Sequence, residues 1–134
     1  MEGTNMALKK SKKVLVVDKN ANTRAVLSDV LKDEGYDVAT ASSGDEALKI
    51  AKETAPDVVL LDGWLSDMEA LQVMMRLKEI HNGVPVIFIS DHSYAEYVLE
   101  TAKAGAFAFL DKPLSQDKLL LTIKKAIERA AENL

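Results

Sequence analysis

A chain of 134 residues, 48% of them hydrophobic, is long enough for one domain with one filled core and short for two. Its 21 acids outnumber the 17 Lys plus Arg, for a formal charge of -4, and no basic stripe with interleaved aromatics occurs, so direct nucleic-acid binding is not expected. The lack of cysteine removes disulfides, thiolate metal sites and thiol nucleophiles, and no apolar run approaches the roughly 18 residues that span a membrane.

The polar, basic start MEGTNMALKKSKK lacks the apolar stretch of a signal peptide. Residues 1–11 are therefore expected to be a disordered leader, the folded domain to occupy 12–131, and the protein to work in the cytoplasm. In chain order, short apolar or β-branched runs of strand length occur at 14–17 (VLVV), 36–40 (YDVAT), 57–61 (DVVLL), 85–89 (PVIFI) and 106–110 (AFAFL). Between and after them, apolar residues recur at helical spacing. The stripes are Leu27, Val30 and Leu31; Ala47, Leu48 and Ala51; Leu71, Met74 and Met75; Val98, Leu99 and Ala102; and Leu120, Ile123, Ile127 and Ala130. Ser43 with Glu46, Ser66 with Glu69 and Ser93 with Glu96 have the spacing of capping boxes at helix starts. Gly35 and Gly105 fall where helices should end in a left-handed residue.

Five successive βα units with strands apolar almost throughout predict an α/β fold, with a doubly wound, five-stranded parallel sheet covered by helices on both faces in a three-layer sandwich. Such a fold places its functional site at the carboxyl ends of the strands, beside the point where strand order reverses. Asp18 follows the first run, Asp62 the third, Ser90 the fourth and Lys112 the fifth. Singly, each reads as a helix cap, a turn residue or a solvated lysine. Jointly, they surround one crevice with two carboxylates, a hydroxyl and an ammonium. An acidic pair can hold Mg²⁺, a carboxylate oxygen can attack a phosphoryl group, and the hydroxyl and ammonium can bind the new phosphoryl oxygens. A glycine-rich phosphate loop is absent, which argues against P-loop and dinucleotide binding.

The stretches VLVVDKN, PDVVLLDGWLSDME, VPVIFIS and GAFAFLDKPLSQDKLLLTIKKAIE resemble the receiver domain of bacterial two-component response regulators over about residues 12–130. LLDGWL and DKPLSQDKLLLTIKKAIE look most like receivers of NtrC/NtrX-type transcriptional activators. The resemblance implies a flavodoxin-like (βα)5 fold. It makes Asp62 the phosphoacceptor for a sensor histidine kinase or phosphotransfer protein, Ser90 the switch hydroxyl, Lys112 the phosphoryl ion pair and Phe109 the switch aromatic. Mg²⁺ would be held by Asp18, Asp62 and the backbone carbonyl of Trp64. A cis Lys112–Pro113 bond and an output through the face of the fourth helix, fifth strand and fifth helix (α4-β5-α5) are implied as well. A homodimer conditional on phosphorylation is compatible with the resemblance, and so are both a stand-alone receiver and one that precedes a C-terminal output domain outside this chain.

Three features depart from the family pattern. Lys19 stands where the second acid of the pair belongs, which predicts weak Mg²⁺ affinity because this ion is held by few carboxylates. Asp91 puts an acid at the pocket mouth, and LSDMEA, with Ser66 and Ala70, replaces the usual Met-Pro-x-Met-Asp-Gly loop. A Lys19–Asp91 charge pair, with the ammonium partly replacing the metal, is one expectation; Lys19 pointing into solvent is the other. Asp62, Ser90 and Lys112 together favour a working phosphoacceptor, whereas Lys19 favours a pseudo-receiver, an interaction module independent of phosphorylation. An unrelated enzyme is disfavoured: His92 and His81 lack an evident nucleophile partner and read as surface residues.

Overall fold

A computed structural model describes residues 11–91 and 95–132. The expected leader (but for Ser11), His92 and the Ser93 half of the third capping box therefore lie outside the described residues. The elements are β1 (Lys13–Val17), α1 (Ala21–Asp33), β2 (Asp37–Ala41), α2 (Gly44–Thr54), β3 (Val58–Asp62), α3 (Ala70–Ile80), β4 (Val86–Ser90), α4 (Ala95–Lys103), β5 (Ala108–Asp111) and α5 (Gln116–Glu132). All five strands are parallel, in the order β2-β1-β3-β4-β5. The five strands and five helices found here are those expected, each strand boundary falling within one or two residues of its apolar run.

Side chains alternate across a strand, and that parity divides the core in two. Leu15, Val17, Val59, Leu61, Val86 and Phe88 face α2 and α3, where Ala47, Ala51, Val73, Met74 and Leu77 are buried. Val14, Val16, Val58, Leu60, Ile87 and Ile89 face α1 and α5, meeting Leu27, Leu31, Leu119, Ile123 and Ala126. Strands covered on both sides have no polar face, which is why their sequences read as continuous apolar runs.

Two helix stripes differ from expectation. In α3 the buried line is Ala70, Val73, Met74 and Leu77, at i, i+3, i+4 and i+7, so Met75, about 100° further round, turns to solvent at 57% exposure. In α4, Thr101 is buried and Tyr97 half-buried, while Leu99 points outward. The Thr101 hydroxyl is accommodated by donating to the Val98 carbonyl at 2.8 Å.

The ends of the helices follow local chemistry. Ser43 caps α2 as expected, accepting the Glu46 N–H, but the Glu46 carboxylate takes the Ser42 N–H at 2.7 Å, one residue before the box partner. The Ser66–Glu69 box does not form: α3 begins at Ala70 behind Glu69, which makes no side-chain cap bond. The chain there is held elsewhere, because the Asp67 carboxylate accepts the N–H groups of Gly44 (2.9 Å) and Asp45 (3.0 Å) at the start of α2. Gly35 (φ 93°) and Gly105 (φ 104°) do take the left-handed conformation just beyond α1 and α4. His81 is tied down rather than loose on the surface: it ends α3, and its Nε2 lies 2.9 Å from the Ala51 carbonyl near the end of α2.

Candidate functional site

Strand order reverses between β1 and β3, which pair side by side with Val17 opposite Leu61. The next residues, Asp18 and Asp62, consequently emerge as neighbours at the carboxyl edge, 1% and 3% exposed. Each carboxylate is fastened. Asp18 accepts the Asn20 N–H on Oδ1 (2.9 Å) and the Lys112 ammonium on Oδ2 (2.8 Å). Arg24 reaches back from α1 to the Asp18 carbonyl at 2.7 Å. Asp62 Oδ1 accepts the Trp64 N–H at 3.3 Å and lies 3.7 Å from Lys112 Nζ.

Ser90 is fully buried at the end of β4, and its carbonyl accepts the Lys112 N–H at 2.9 Å, which sets the lysine at the mouth of the site. The Lys112–Pro113 bond is cis, as the resemblance implied. Phe109 stacks on Phe88 with centroids 6.2 Å apart and meets Tyr97 edge-on at 5.9 Å. Trp64 is half-exposed beside the crevice.

Electrostatics follow from two acids buried together. Burial, and then the charge of Asp18, push the Asp62 carboxyl up to about 6, against the opposing pull of Lys112, the Trp64 N–H and Lys19. For Lys112, burial works against the ammonium, but the bond to Asp18 and the charges of Asp62, Asp18 and Asp91 outweigh it and raise its pKa. Among the described residues, the two carboxylates of the site share Lys112 as their ion-pair partner. The expected Lys19–Asp91 pair is not among those the described residues form. Lys19 is an exposed side chain that acts on Asp62 through its charge, and Asp91 acts in the same way on Lys112.

Two buried carboxylates, one with its proton affinity raised by the other, are a donor set that fits a hard divalent cation, for which one or two carboxylates plus water suffice. Among the described residues no cluster of three or more acidic or imidazole side chains forms a fuller cage. Sequence reasoning placed Asp18, Asp62, Ser90 and Lys112 around one crevice, the resemblance added Phe109 as switch aromatic, and Arg24, Asp67 and Tyr97 were missed. Tyr97 had a readable signal, an aromatic in the helix after the candidate switch strand, but its partner lies 34 residues away.

The open parallel sheet, with buried acids at its switch point and a lysine after the last strand, is the arrangement the resemblance implied, and the response regulator receiver domain family matches residues 14–124. The chain belongs to that family. It is 37% identical over 117 residues to an NtrX-like response regulator of Rickettsia bellii, covering 86% of this chain and 24% of that protein. The crystal structure of the receiver domain of NtrX from Brucella abortus superposes with a TM-score of 0.81 at 35% identity, covering 86% of this chain and 98% of that one. A CheY-like receiver domain protein from Methanospirillum hungatei gives a TM-score of 0.89 at 25% identity, over 93% and 100% of the two chains. The chain spans about a quarter of the length of the curated relatives it matches. The chain is thus a response regulator receiver domain of the two-component type, a family that typically binds Mg²⁺ and is not catalytic in itself. No helix among the described residues is long and apolar enough to cross a membrane.

Proposed function

We propose that the chain, with residues 12–131 as its receiver unit, accepts a phosphoryl group on Asp62 from the phosphohistidine of a sensor kinase or phosphotransfer protein. The observation that carries this reading is the convergence of the buried Asp18–Asp62 pair with Lys112 and Ser90 at one edge of the sheet. An Asp62 carboxylate oxygen attacks the donor phosphorus, the P–N bond breaks, and the imidazole nitrogen keeps the bonding pair and takes a proton. Lys112 and the Trp64 N–H stand ready for the new phosphoryl oxygens. Asp18, Asp62 and the Trp64 carbonyl would hold Mg²⁺, which when bound supplies charge neutralisation at those oxygens. With Lys19 in place of an acid, that binding is weak.

Ser90 is the switch hydroxyl and Phe109 the aromatic that repacks behind it, shifting the face formed by α4, β5 and α5. Leu99 in α4 and Leu121 in α5, 55% and 52% exposed, suit a homodimer conditional on phosphorylation. The greater length of the curated relatives supports a C-terminal output domain in the full regulator. The domain's own chemistry is limited to weak autophosphorylation and autodephosphorylation, and its place is the cytoplasm. Borohydride reduction after treatment with phosphoramidate, followed by peptide mass mapping, should find Asp62 converted and Asp18 and Asp91 intact. Conversion elsewhere, or nowhere, contradicts the reading. Lys19 favours a second reading, a pseudo-receiver that binds partners without phosphorylation, and an empty peptide map would support it.

A further inference from the structure

One peptide unit links α4 to Asp62. The N–H of the Gly63–Trp64 peptide donates to Asp62 Oδ1 at 3.3 Å, and the C=O of the same peptide accepts the Tyr97 hydroxyl at 3.2 Å. The Tyr97 ring is held edge-on by Phe88 (6.3 Å between centroids, 87°) and by Phe109 (5.9 Å, 90°), so packing on two sides aims the hydroxyl. Gly63 leaves no slack between its neighbours: a Cβ there would lie 3.1 Å from Ser90 Oγ and 3.3 Å from the Tyr97 ring. Burial and the charge of Asp62 raise the Tyr97 pKa, which keeps the hydroxyl a donor.

We propose that Tyr97 is a positioning residue for phosphoryl transfer to Asp62, its hydroxyl fixing the Gly63–Trp64 peptide so that the Trp64 N–H faces the reacting carboxylate. The inference rests on the phosphoacceptor reading above. In the transition state the negative charge lies on the phosphoryl oxygens arriving beside that carboxylate, and a donor already held there meets them without reorganising. A carbonyl that accepts a hydrogen bond also polarises its own peptide and strengthens the N–H on the other side. Phe109 in β5 carries no hydroxyl, and Tyr97 brings one to the same aromatic cluster from α4. The position of α4 and the geometry around Asp62 are thereby coupled through a single peptide.

Tyr97→Phe keeps the ring and deletes the bond. With phosphoramidate as donor and adduct formation followed by intact mass, its maximal rate should fall by about two- to tenfold, the range of one net hydrogen bond. The half-saturating donor concentration should not change, and the thermal midpoint should drop by no more than the loss of that one hydrogen bond requires, which separates positioning from a packing role. In the amide NMR spectrum of the unphosphorylated variant, the Trp64 resonance should move and exchange faster with solvent. Equal maximal rates for wild type and Tyr97→Phe would overturn the inference while leaving Asp62 as phosphoacceptor, and so would an unmoved Trp64 amide. An absence of adduct on the wild type would remove the phosphoacceptor reading itself, and the inference with it.

Discussion

Lys112 sits closer to Asp18 than to Asp62: its ammonium is 2.8 Å from the first carboxylate and 3.7 Å from the second. The lysine is thus bound to the neighbour of the proposed phosphoacceptor and stands one short movement away from it. Replacing it by Lys112→Met strands two adjacent buried acids. The expected loss is about 3 kcal/mol at about pH 7, the low end for a broken buried pair because the lysine is partly exposed. Lower pH should shrink the loss, since a protonated Asp62 no longer repels Asp18. Urea unfolding of both proteins at neutral and mildly acidic pH checks this, and a pH-independent difference would count against it.

Asp62 should behave unlike an ordinary surface carboxylate. Its folded pKa, about 6, lies above the unfolded value, so the folded state binds the extra proton between the two. The stability this group contributes is present in full below the unfolded pKa and is lost as pH rises through about 6. Asp62→Asn should therefore stabilise the protein at neutral pH, by on the order of 1–2 kcal/mol after allowance for solvent screening, and by less under acidic conditions. The rate of phosphorylation of the wild type should fall as pH drops through about 6, because only the carboxylate attacks. Thermal melts and rates across that range test both halves.

Lys19→Asp restores an acid beside Asp18 and removes a cation that acts on Asp62. Mg²⁺ should then bind about tenfold more tightly or better, a gain of ~1.4 kcal/mol. Trp64 is the single tryptophan and is half-exposed next to the site, so its fluorescence offers the titration signal. An unchanged midpoint would mean that Lys19 does not limit metal binding.

Asp67 holds the loop after β3 against α2 by accepting two N–H groups at the helix start, which keeps its carboxyl below the usual range. Asp67→Ala should cost about 1 kcal/mol of stability, the usual loss of an N-terminal cap. Because the loop also carries Trp64, its resting fluorescence should change with the substitution. A variant with wild-type stability and emission would show that the cap is idle.

The strands and the acidic pair were legible because their causes are local. Apolar runs mark the doubly covered strands, and Asp18 and Asp62 directly follow runs whose order in the sheet makes them adjacent. What the sequence hid depends on contacts between distant segments: Asp67 reaching Gly44 across 23 residues, Tyr97 reaching Gly63 across 34, and Lys112 choosing Asp18 across 94. The outward turns of Met75 and Leu99 belong to the same class. Helical spacing marks several overlapping stripes, and packing against the sheet selects one of them. The Ser66–Glu69 spacing failed for a related reason, since Asp67 between them is drawn to another helix.

The most direct test of Asp62 as a working phosphoacceptor is an intact-mass time course of the wild type, Asp62→Asn and Lys19→Asp with phosphoramidate, with Mg²⁺ and with a chelator. A single phosphoryl adduct should form on the wild type, be absent from Asp62→Asn, and depend on Mg²⁺ more strongly in Lys19→Asp than in the wild type. An adduct that survives Asp62→Asn, or a wild type that takes up none under any condition, would contradict the account.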